Sequence, residues 1–145
     1  MNPERFMKVC LYYIGRGRDR NANAIAAEYI KRSTRFGSCE MREIDPRKFD
    51  PWVKHASGTK VLLDPEGRLM DSAQFAKMLS TAELNARDLV FVIGGADGLP
   101  AQWRERADIL LSLSKMTWPH ELARAMLAEQ IYRAFTTLRG HPYPR

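Results

Sequence analysis

Short apolar runs alternate along the chain with stretches whose apolar residues recur at helical spacing. The runs predict strands at residues 6–14, 39–44, 59–64, 89–93 and 109–114. The helical spacing predicts helices at residues 22–36, 72–84, 100–107 and from Pro119 to about Leu138. This alternation is typical of an α/β fold with a parallel sheet of about five strands. The run LVFVI at 89–93 is apolar throughout, which favours a sheet with helices on both faces.

Local signals define several boundaries of these elements. Asn21 or Asn23 is placed to cap the first helix, and Asp71 or Ser72 the second. The tripeptide PEG that follows the strand 59–64 predicts a turn. The segment 45–58 contains two prolines, so we expect a surface connection with at most a turn or two of helix.

The last helix has a wider apolar stripe than one neighbouring element requires. Its apolar positions are Leu122, Met126, Leu127, Ile131, Ala134, Phe135 and Leu138. The stripe is explained either by burial within its own chain or by the interface of a homodimer. We favour the homodimer.

Length and composition restrict the class of protein. A chain of 145 residues, 45% hydrophobic and 28% charged, predicts one globular domain over residues 1–145 that folds without disulfides or metal. Cys10 and Cys39 are predicted to be buried free thiols. The chain lacks an apolar run of membrane-spanning length, and charges occupy the place of a signal peptide's apolar segment. We therefore expect a cytoplasmic protein with no membrane association and no metal site.

The net charge of +6 is distributed unevenly. Residues 1–48 carry 11 basic against 6 acidic side chains, residues 49–102 carry 5 against 7, and residues 103–145 carry 7 against 4. Basic ends with a more neutral middle are suited to a polyanion such as nucleic acid. The same excess of lysine and arginine could also serve solubility alone.

Ligands of parallel α/β sheets bind at the carboxyl ends of the strands. Candidate chemistry is therefore expected at Asp64, at Gly94–Gly98 and after Ser114. The glycine-rich segment would let a ligand approach the backbone, but it matches neither a dinucleotide fingerprint nor a phosphate-binding P-loop. A plain strand-to-helix turn, with Asp97 capping the next helix, explains it equally well.

His120 lies in the first turn of the last helix, where the helix dipole favours the neutral imidazole. A neutral ring can accept a proton or a hydrogen bond, although a histidine that only packs or caps is the more frequent case. Arg124 follows one turn later on the same face, so the two side chains could together hold a phosphate.

Several motifs occur together in one order: LLD and VIGGADG at strand ends, LSLSKMTWPHELAR, EQIYRA, and HPYPR at the carboxyl terminus. As a set they resemble the RlmH family, the pseudouridine N3-methyltransferases of large-subunit ribosomal RNA in the SPOUT superfamily. The resemblance is strongest from about Thr59 to Arg145. It implies a SPOUT-type parallel sheet with a C-terminal trefoil knot, S-adenosyl-L-methionine as methyl donor and an obligate homodimer.

The resemblance also assigns residues to the cofactor. Leu63 would line the adenosine pocket, and Gly94 and Gly95 would allow close approach of the cofactor. The loop that would wrap the adenine and methionine through backbone groups consists of Leu113, Ser114, Lys115, Met116, Thr117 and Trp118.

By the same resemblance, residues 119–124 together with Tyr143 and Arg145 would face the RNA. Two features depart from the family pattern. The region between the second and third strands is short, which puts RNA contacts from it in doubt. Pro144 replaces the histidine that commonly follows the terminal tyrosine, so His141 or Arg145 would have to substitute for it.

The resulting hypothesis is methylation of N3 of a pseudouridine in 23S ribosomal RNA. His120 would contact the base or take its proton, Arg124 would position phosphate, and Tyr143 with Arg145 would grip the nucleotide. Two alternatives remain: an RNA-binding homologue without catalysis, and a SPOUT methyltransferase that acts on tRNA. The substrate could be free ribosomal RNA, a subunit or the assembled ribosome.

Overall fold

The computed structural model of the protein describes residues 7–143. Its strands are β1 (Lys8–Ile14), β2 (Ser38–Ile44), β3 (Thr59–Leu69), β4 (Leu89–Ile93) and β5 (Ile109–Ser112). Its helices are α1 (Arg20–Ser33), α2 (Pro51–Lys54), α3 (Ser72–Leu84), α4 (Ala101–Arg106) and α5 (His120–Leu138). Within residues 7–143, no helix combines the length and apolar character that crossing a bilayer requires.

The five strands form one sheet in the order β2-β1-β4-β3-β5, and every neighbouring pair is parallel. The central strands β1 and β4 pair with Val9 opposite Leu89 and Leu11 opposite Phe91. All five residues of β4 are buried. The prediction of a parallel α/β sheet is confirmed, and the continuous apolar run of β4 is explained by its place inside the sheet.

Alternating side chains of the strands enter two cores, one on each face of the sheet. On one face, Leu11 and Phe91 pack with residues of α1, α3 and α5. On the other, Tyr12 and Val92 pack with Trp103 of α4 and with the segment that contains α2. Helices therefore cover both faces, as the sequence predicts.

The start of α1 differs from the prediction. The helix begins at Arg20, and its cap is Asp19, whose carboxylate accepts a hydrogen bond from the backbone N–H of Ala22 at 3.0 Å. Neither Asn21 nor Asn23 is the cap. The amide of Asn23 instead donates to the carbonyl of Asp19 at 2.7 Å and to the carboxylate of Glu121 at 2.8 Å, so a tertiary contact occupies it.

Strand β3 continues five residues beyond its predicted end. Its pairing with β5 shifts between Leu63 and Arg68, which both lie opposite Leu111, so the segment between them forms a wide bulge. A Cβ at Gly67 would lie 2.6 Å from the carbonyl of Leu110, so glycine permits this close approach. The PEG tripeptide bends the strand rather than ending it.

The segment 45–58 is more than a surface connection. Its helix α2 has only four residues, within the predicted limit, but Pro51 and His55 are buried. Phe49 and Trp52 pack against the core on this face of the sheet. The prolines shorten the helix without removing the segment from the core.

Most of the apolar stripe of α5 is buried within its own chain. Leu127, Ile131 and Phe135 have no exposed surface and pack with α1, α3 and the sheet. Leu122, at the start of the stripe, exposes 40% of its surface. Intrachain burial therefore explains most of the stripe, and the homodimer stays a prediction. Both cysteines are free; Cys10 is buried and Cys39 partly buried.

Candidate functional site

A cavity of about 650 Å³ lies at the carboxyl ends of β4 and β5 and at the bulge of β3. The three strands are neighbours in the sheet, so the bulge and the loops that follow β4 and β5 meet there. The sequence-predicted residues that line the cavity are Leu63, Gly94, Gly95, Leu113, Ser114, Met116, Thr117, Trp118 and His120. Lys115, Arg124 and Tyr143 do not line it.

The glycines after β4 form a tight loop whose own backbone fills the space beside them. The N–H of Gly98 donates to the carbonyl of Gly95 at 3.0 Å. A Cβ at Gly94 would lie 2.7 Å from the carbonyl carbon of Gly98, and one at Gly95 would lie 2.8 Å from the carbonyl oxygen of Ile14. Both positions therefore require glycine for packing within the chain, whether or not a ligand is bound.

The wall formed by β3 carries an ion pair that sequence reasoning missed. Asp64 is buried, and its carboxylate accepts a hydrogen bond from Nε of Arg104 at 2.5 Å and from the N–H of Glu66 at 2.8 Å. The pair joins the bulge of β3 to α4 at the cavity wall. The two residues are 40 positions apart, and no local pattern indicates their contact.

The loop between β5 and α5 forms a further wall. Hydroxyls shape its first turn: Ser112 Oγ donates to the carbonyl of Ser114 at 2.8 Å, and Ser114 Oγ accepts from the N–H of Met116 at 2.9 Å. Met116 and Trp118 expose 71% and 38% of their surface. Two large apolar side chains at the cavity are thus partly open to solvent.

His120 is the first residue of α5 and is half-buried at the cavity. Its ring makes no hydrogen bond to any other part of residues 7–143, so both ring nitrogens remain available to a ligand. Glu121 does not line the cavity, and its carboxylate accepts hydrogen bonds from the segment before α1. The start of α5 therefore combines an uncommitted imidazole with a firmly held carboxylate.

Arg124 does not share an exposed face with His120, contrary to the sequence prediction. Its guanidinium is fully buried, lies 3.6 Å from the ring centroid of Tyr13 and donates to the side-chain oxygen of Asn23. Its Nε and second terminal nitrogen find no hydrogen-bond partner among residues 7–143, and burial lowers the pKa of the side chain. Helix α5 directs this side chain toward Asn23 of α1, where it is buried and does not contact solvent or a phosphate in solution.

Tyr143 packs on its own chain instead of facing the cavity. Its hydroxyl donates to the carboxylate of Glu129, and its ring centroid lies 4.8 Å from that of Tyr132. Burial and the Glu129 carboxylate raise the pKa of the phenol. Arg145, predicted to grip the nucleotide, lies outside the described residues, as does Pro144.

Comparison with known proteins places these features in a family. The model of a family described as SPOUT methyltransferases matches residues 7–144. The chain belongs to this SPOUT methyltransferase family. It is 61% identical over 96% of its length to the whole of the ribosomal RNA large subunit methyltransferase H of Solibacter usitatus. The protein of the same name from Chromobacterium violaceum is 38% identical, with 96% of this chain and 99% of the relative covered.

Solved structures of proteins described as methylases or methyltransferases share the fold at low sequence identity. A probable methylase family protein from Haemophilus influenzae superposes with a TM-score of 0.61 at 12% identity, covering 96% of this chain and 71% of that protein. An AdoMet-bound rRNA methyltransferase from Sinorhizobium meliloti gives 0.53 at 14% identity, covering 88% and 57%. The resemblance drawn from the motifs and the predicted α/β fold class are confirmed. Within residues 7–143, no three His, Cys, Asp or Glu side chains are grouped to hold a metal ion.

Proposed function

We propose that the protein transfers a methyl group from S-adenosyl-L-methionine to N3 of a pseudouridine in 23S ribosomal RNA. Relatives named ribosomal RNA large subunit methyltransferase H support the substrate class. The observation that carries the proposal is the cavity formed by the bulge of β3 and the carboxyl ends of β4 and β5, with the free ring of His120 among its lining residues. A cytoplasmic location is part of the proposal, because that is where the RNA is.

The cavity fits a cofactor of this size and polarity. Its volume of about 650 Å³ is within the range of small-molecule sites. Leu63 and Leu113 offer apolar surface to an adenine ring, and residues 113–119 belong to no helix or strand, which leaves backbone groups for polar contacts. Solved SPOUT proteins described as AdoMet-bound or in complex with AdoMet support the same ligand.

Methyl transfer of this kind requires few catalytic side chains. The sulfonium of the cofactor supplies an already activated methyl group, so the protein has to align the nucleophile and favour loss of the N3 proton. The ring of His120 is placed to accept a hydrogen bond or the proton from a base that enters the cavity. The ion pair of Asp64 with Arg104 holds the bulge of β3 to α4 at the cavity.

The homodimer, the knot and the terminal residues form the remaining part of the proposal. Tyr143 is docked on Glu129 of its own chain and does not reach its own cavity, so in a homodimer it would serve the cavity of the other chain together with Arg145. Trp118 and Leu122 expose 38% and 40% of their surface close to His120, which supports an interface there. Sedimentation of the wild-type protein at micromolar concentration tests the homodimer.

The deciding experiment offers the purified protein labelled S-adenosyl-L-methionine with 23S ribosomal RNA, large subunits, assembled ribosomes or tRNA. Mass mapping of the products should place one methyl on a pseudouridine of the 23S RNA. Labelling of tRNA alone would favour a different SPOUT activity. Cofactor binding without methyl transfer to any substrate would favour an RNA-binding homologue.

A further inference from the structure

We propose that residues 15–20, here called the arginine loop, bind the sugar-phosphate backbone of the RNA beside the nucleotide that enters the cavity. The inference rests on the proposed function, because it assigns a second contact to the same substrate. The loop has the sequence GRGRDR and joins β1 to α1. None of its residues lines the cavity.

The arginine loop begins at the edge of the cavity. Gly15 has a φ of +94°, which turns the chain sharply as it leaves β1. The glycine loop of the cavity packs directly against this point, since the Cβ position of Gly95 is 2.8 Å from the carbonyl oxygen of Ile14. A nucleotide whose base occupies the cavity would thus extend its backbone past the arginine loop.

Glu121 fixes the far end of the loop to the start of α5. One of its carboxylate oxygens accepts from the N–H of Arg18 at 2.6 Å and of Asp19 at 3.0 Å. The same oxygen accepts from the amide of Asn23 at 2.8 Å. These bonds lower the pKa of Glu121 to about 2, so the carboxylate is charged at any physiological pH. Because Glu121 follows His120, the arginine loop and the candidate catalytic ring are held in one geometry.

The side chains of the arginine loop carry charge that the protein itself does not use. Arg16, Arg18 and Arg20 are exposed, and their guanidinium groups make no ion pair or hydrogen bond with any of residues 7–143. Arg139, in contrast, bonds both the carboxylate of Glu83 and the carbonyl of Phe36. Three exposed cations on a loop whose backbone is hydrogen-bonded to Glu121 form a candidate anion site.

Two carboxylates, Asp19 and Glu121, also lie at the arginine loop. Both accept hydrogen bonds from backbone N–H groups at the start of α1 or from the amide of Asn23, and neither is bonded to a guanidinium group of the loop. A phosphate would accept hydrogen bonds from those guanidinium groups. A polyanion of regular spacing therefore fits the arginine loop better than an acidic protein surface does.

The main test compares two triple variants with the same change in net charge. R16Q/R18Q/R20Q removes the loop cations, and K48Q/K54Q/K77Q removes three exposed lysines that lie outside the cavity. We expect the loop variant to raise KM for the RNA about ten-fold and to reduce the slope of log KM against log salt by about two to three. The control variant should change KM less than about two-fold. Calorimetric affinity for S-adenosyl-L-methionine should stay at the wild-type value in both.

A second variant tests the geometry separately from the charge. Glu121→Ala makes the protein more basic, so a purely electrostatic contact would tighten RNA binding. If Glu121 positions the arginine loop, KM for the RNA should instead rise several-fold, while the affinity for S-adenosyl-L-methionine remains. A lower KM in this variant would overturn the positioning role.

The outcomes separate this inference from the function on which it rests. A wild-type protein that methylates no RNA defeats the proposed function. A methylating wild type whose loop variant equals the lysine control defeats the arginine loop alone. Dissociation of a dimer by R16Q/R18Q/R20Q, seen by sedimentation, would show that the arginines hold a second copy of the chain and would overturn the assignment to RNA.

Discussion

The two ends of the sheet each carry a histidine, and the two histidines have opposite surroundings. At the carboxyl end, His120 lies half-buried at the cavity and its ring makes no hydrogen bond within residues 7–143. At the amino end, His55 is buried with a partner on each ring nitrogen: the hydroxyl of Tyr12 at 2.7 Å from Nε2 and the carboxylate of Asp88 at 3.0 Å from Nδ1. One ring is open to a ligand, and the other is part of the framework.

The amino-end network has a defined direction of hydrogen bonding. Burial raises the pKa of Tyr12, so its phenol keeps the proton and donates it to Nε2 of His55. Nδ1–H of His55 then donates to Asp88, which also accepts from the N–H of Lys8 at 3.1 Å. The arrangement resembles a catalytic triad in residue types, but it opens into no described cavity. Residue types alone therefore do not identify an active site, and our candidate site rests on free hydrogen-bonding capacity next to a cavity.

The largest expected effect on stability comes from removing the buried ring. His55→Ala would leave the hydroxyl of Tyr12 without its partner and would leave the carboxylate of Asp88 only its hydrogen bond from the N–H of Lys8, and should lower the free energy of unfolding by about 3 kcal/mol. Urea unfolding measures the loss. Tyr12→Phe, which removes one hydrogen bond, should cost about 1 kcal/mol. A loss below about 0.5 kcal/mol for His55→Ala would show that the amino-end network stabilises nothing.

The reverse pattern is expected at the carboxyl end. His120→Ala should lower kcat for RNA methylation about 100-fold, since general acid–base groups commonly contribute at least that much. Its free energy of unfolding should change by less than about 1 kcal/mol, because no hydrogen bond within the described chain is lost. Wild-type kcat in this variant would remove His120 from the mechanism and leave proton removal to solvent.

Alanine substitutions at two glycines of the loop that follows β4 should have smaller effects, and the two losses of stability should differ. Gly95→Ala would force a Cβ to 2.8 Å from the Ile14 oxygen, and should cost about 2 kcal/mol of stability along with cofactor affinity. Gly98 has a φ of +76° but open space around its Cβ position, so Gly98→Ala should cost about 1 kcal/mol. Thermal melts with and without S-adenosyl-L-methionine give both quantities. Equal losses would mean that the contact with Ile14 relaxes freely.

A pH dependence is expected from the two cysteines of β1 and β2, and it appears only above pH 9. Burial raises the pKa of Cys10 and of Cys39 to about 12, from 9.0. The unfolded chain releases these protons first, so their contribution to stability is complete below pH 9 and falls as the pH rises toward 12. Urea midpoints measured across this interval should decline, and Cys39→Ala should reduce the decline. If the urea midpoint of Cys39→Ala declines as much as that of the wild type, the pH dependence belongs to other groups, such as Tyr12.

Local pattern predicted most of the secondary structure and the location of the cavity. The five strands, the helix α3 with its cap at Asp71, and the long helix α5 follow from apolar spacing and capping residues. The rule that ligands bind at strand ends selected Asp64, Gly94–Gly98 and the segment after Ser114, all of which adjoin one cavity. The ordered motifs were sufficient to indicate the family.

The errors concern side chains whose partners lie far away in sequence. Arg124 is buried because α5 turns it toward Tyr13 and Asn23, the latter 101 positions away. The stripe containing Ile131 is wide because three elements of the same chain cover α5. Periodicity reports that a face is apolar, but it does not report which neighbour covers that face.

The sequence by itself determined which segments form strands and helices, because apolar spacing depends on near neighbours. It also determined where the backbone carries no Cβ, at Gly94 and Gly95, and where positive charge is concentrated. Only the tertiary structure decided which charged side chains have a hydrogen-bonding partner and which have none. It pairs Glu121 with the arginine loop across about 100 residues, Asp64 with Arg104 and Asp88 with His55, and it leaves His120 without a partner among residues 7–143. Those choices depend on which elements pack together, and a contact between distant segments has no periodic signal in the chain.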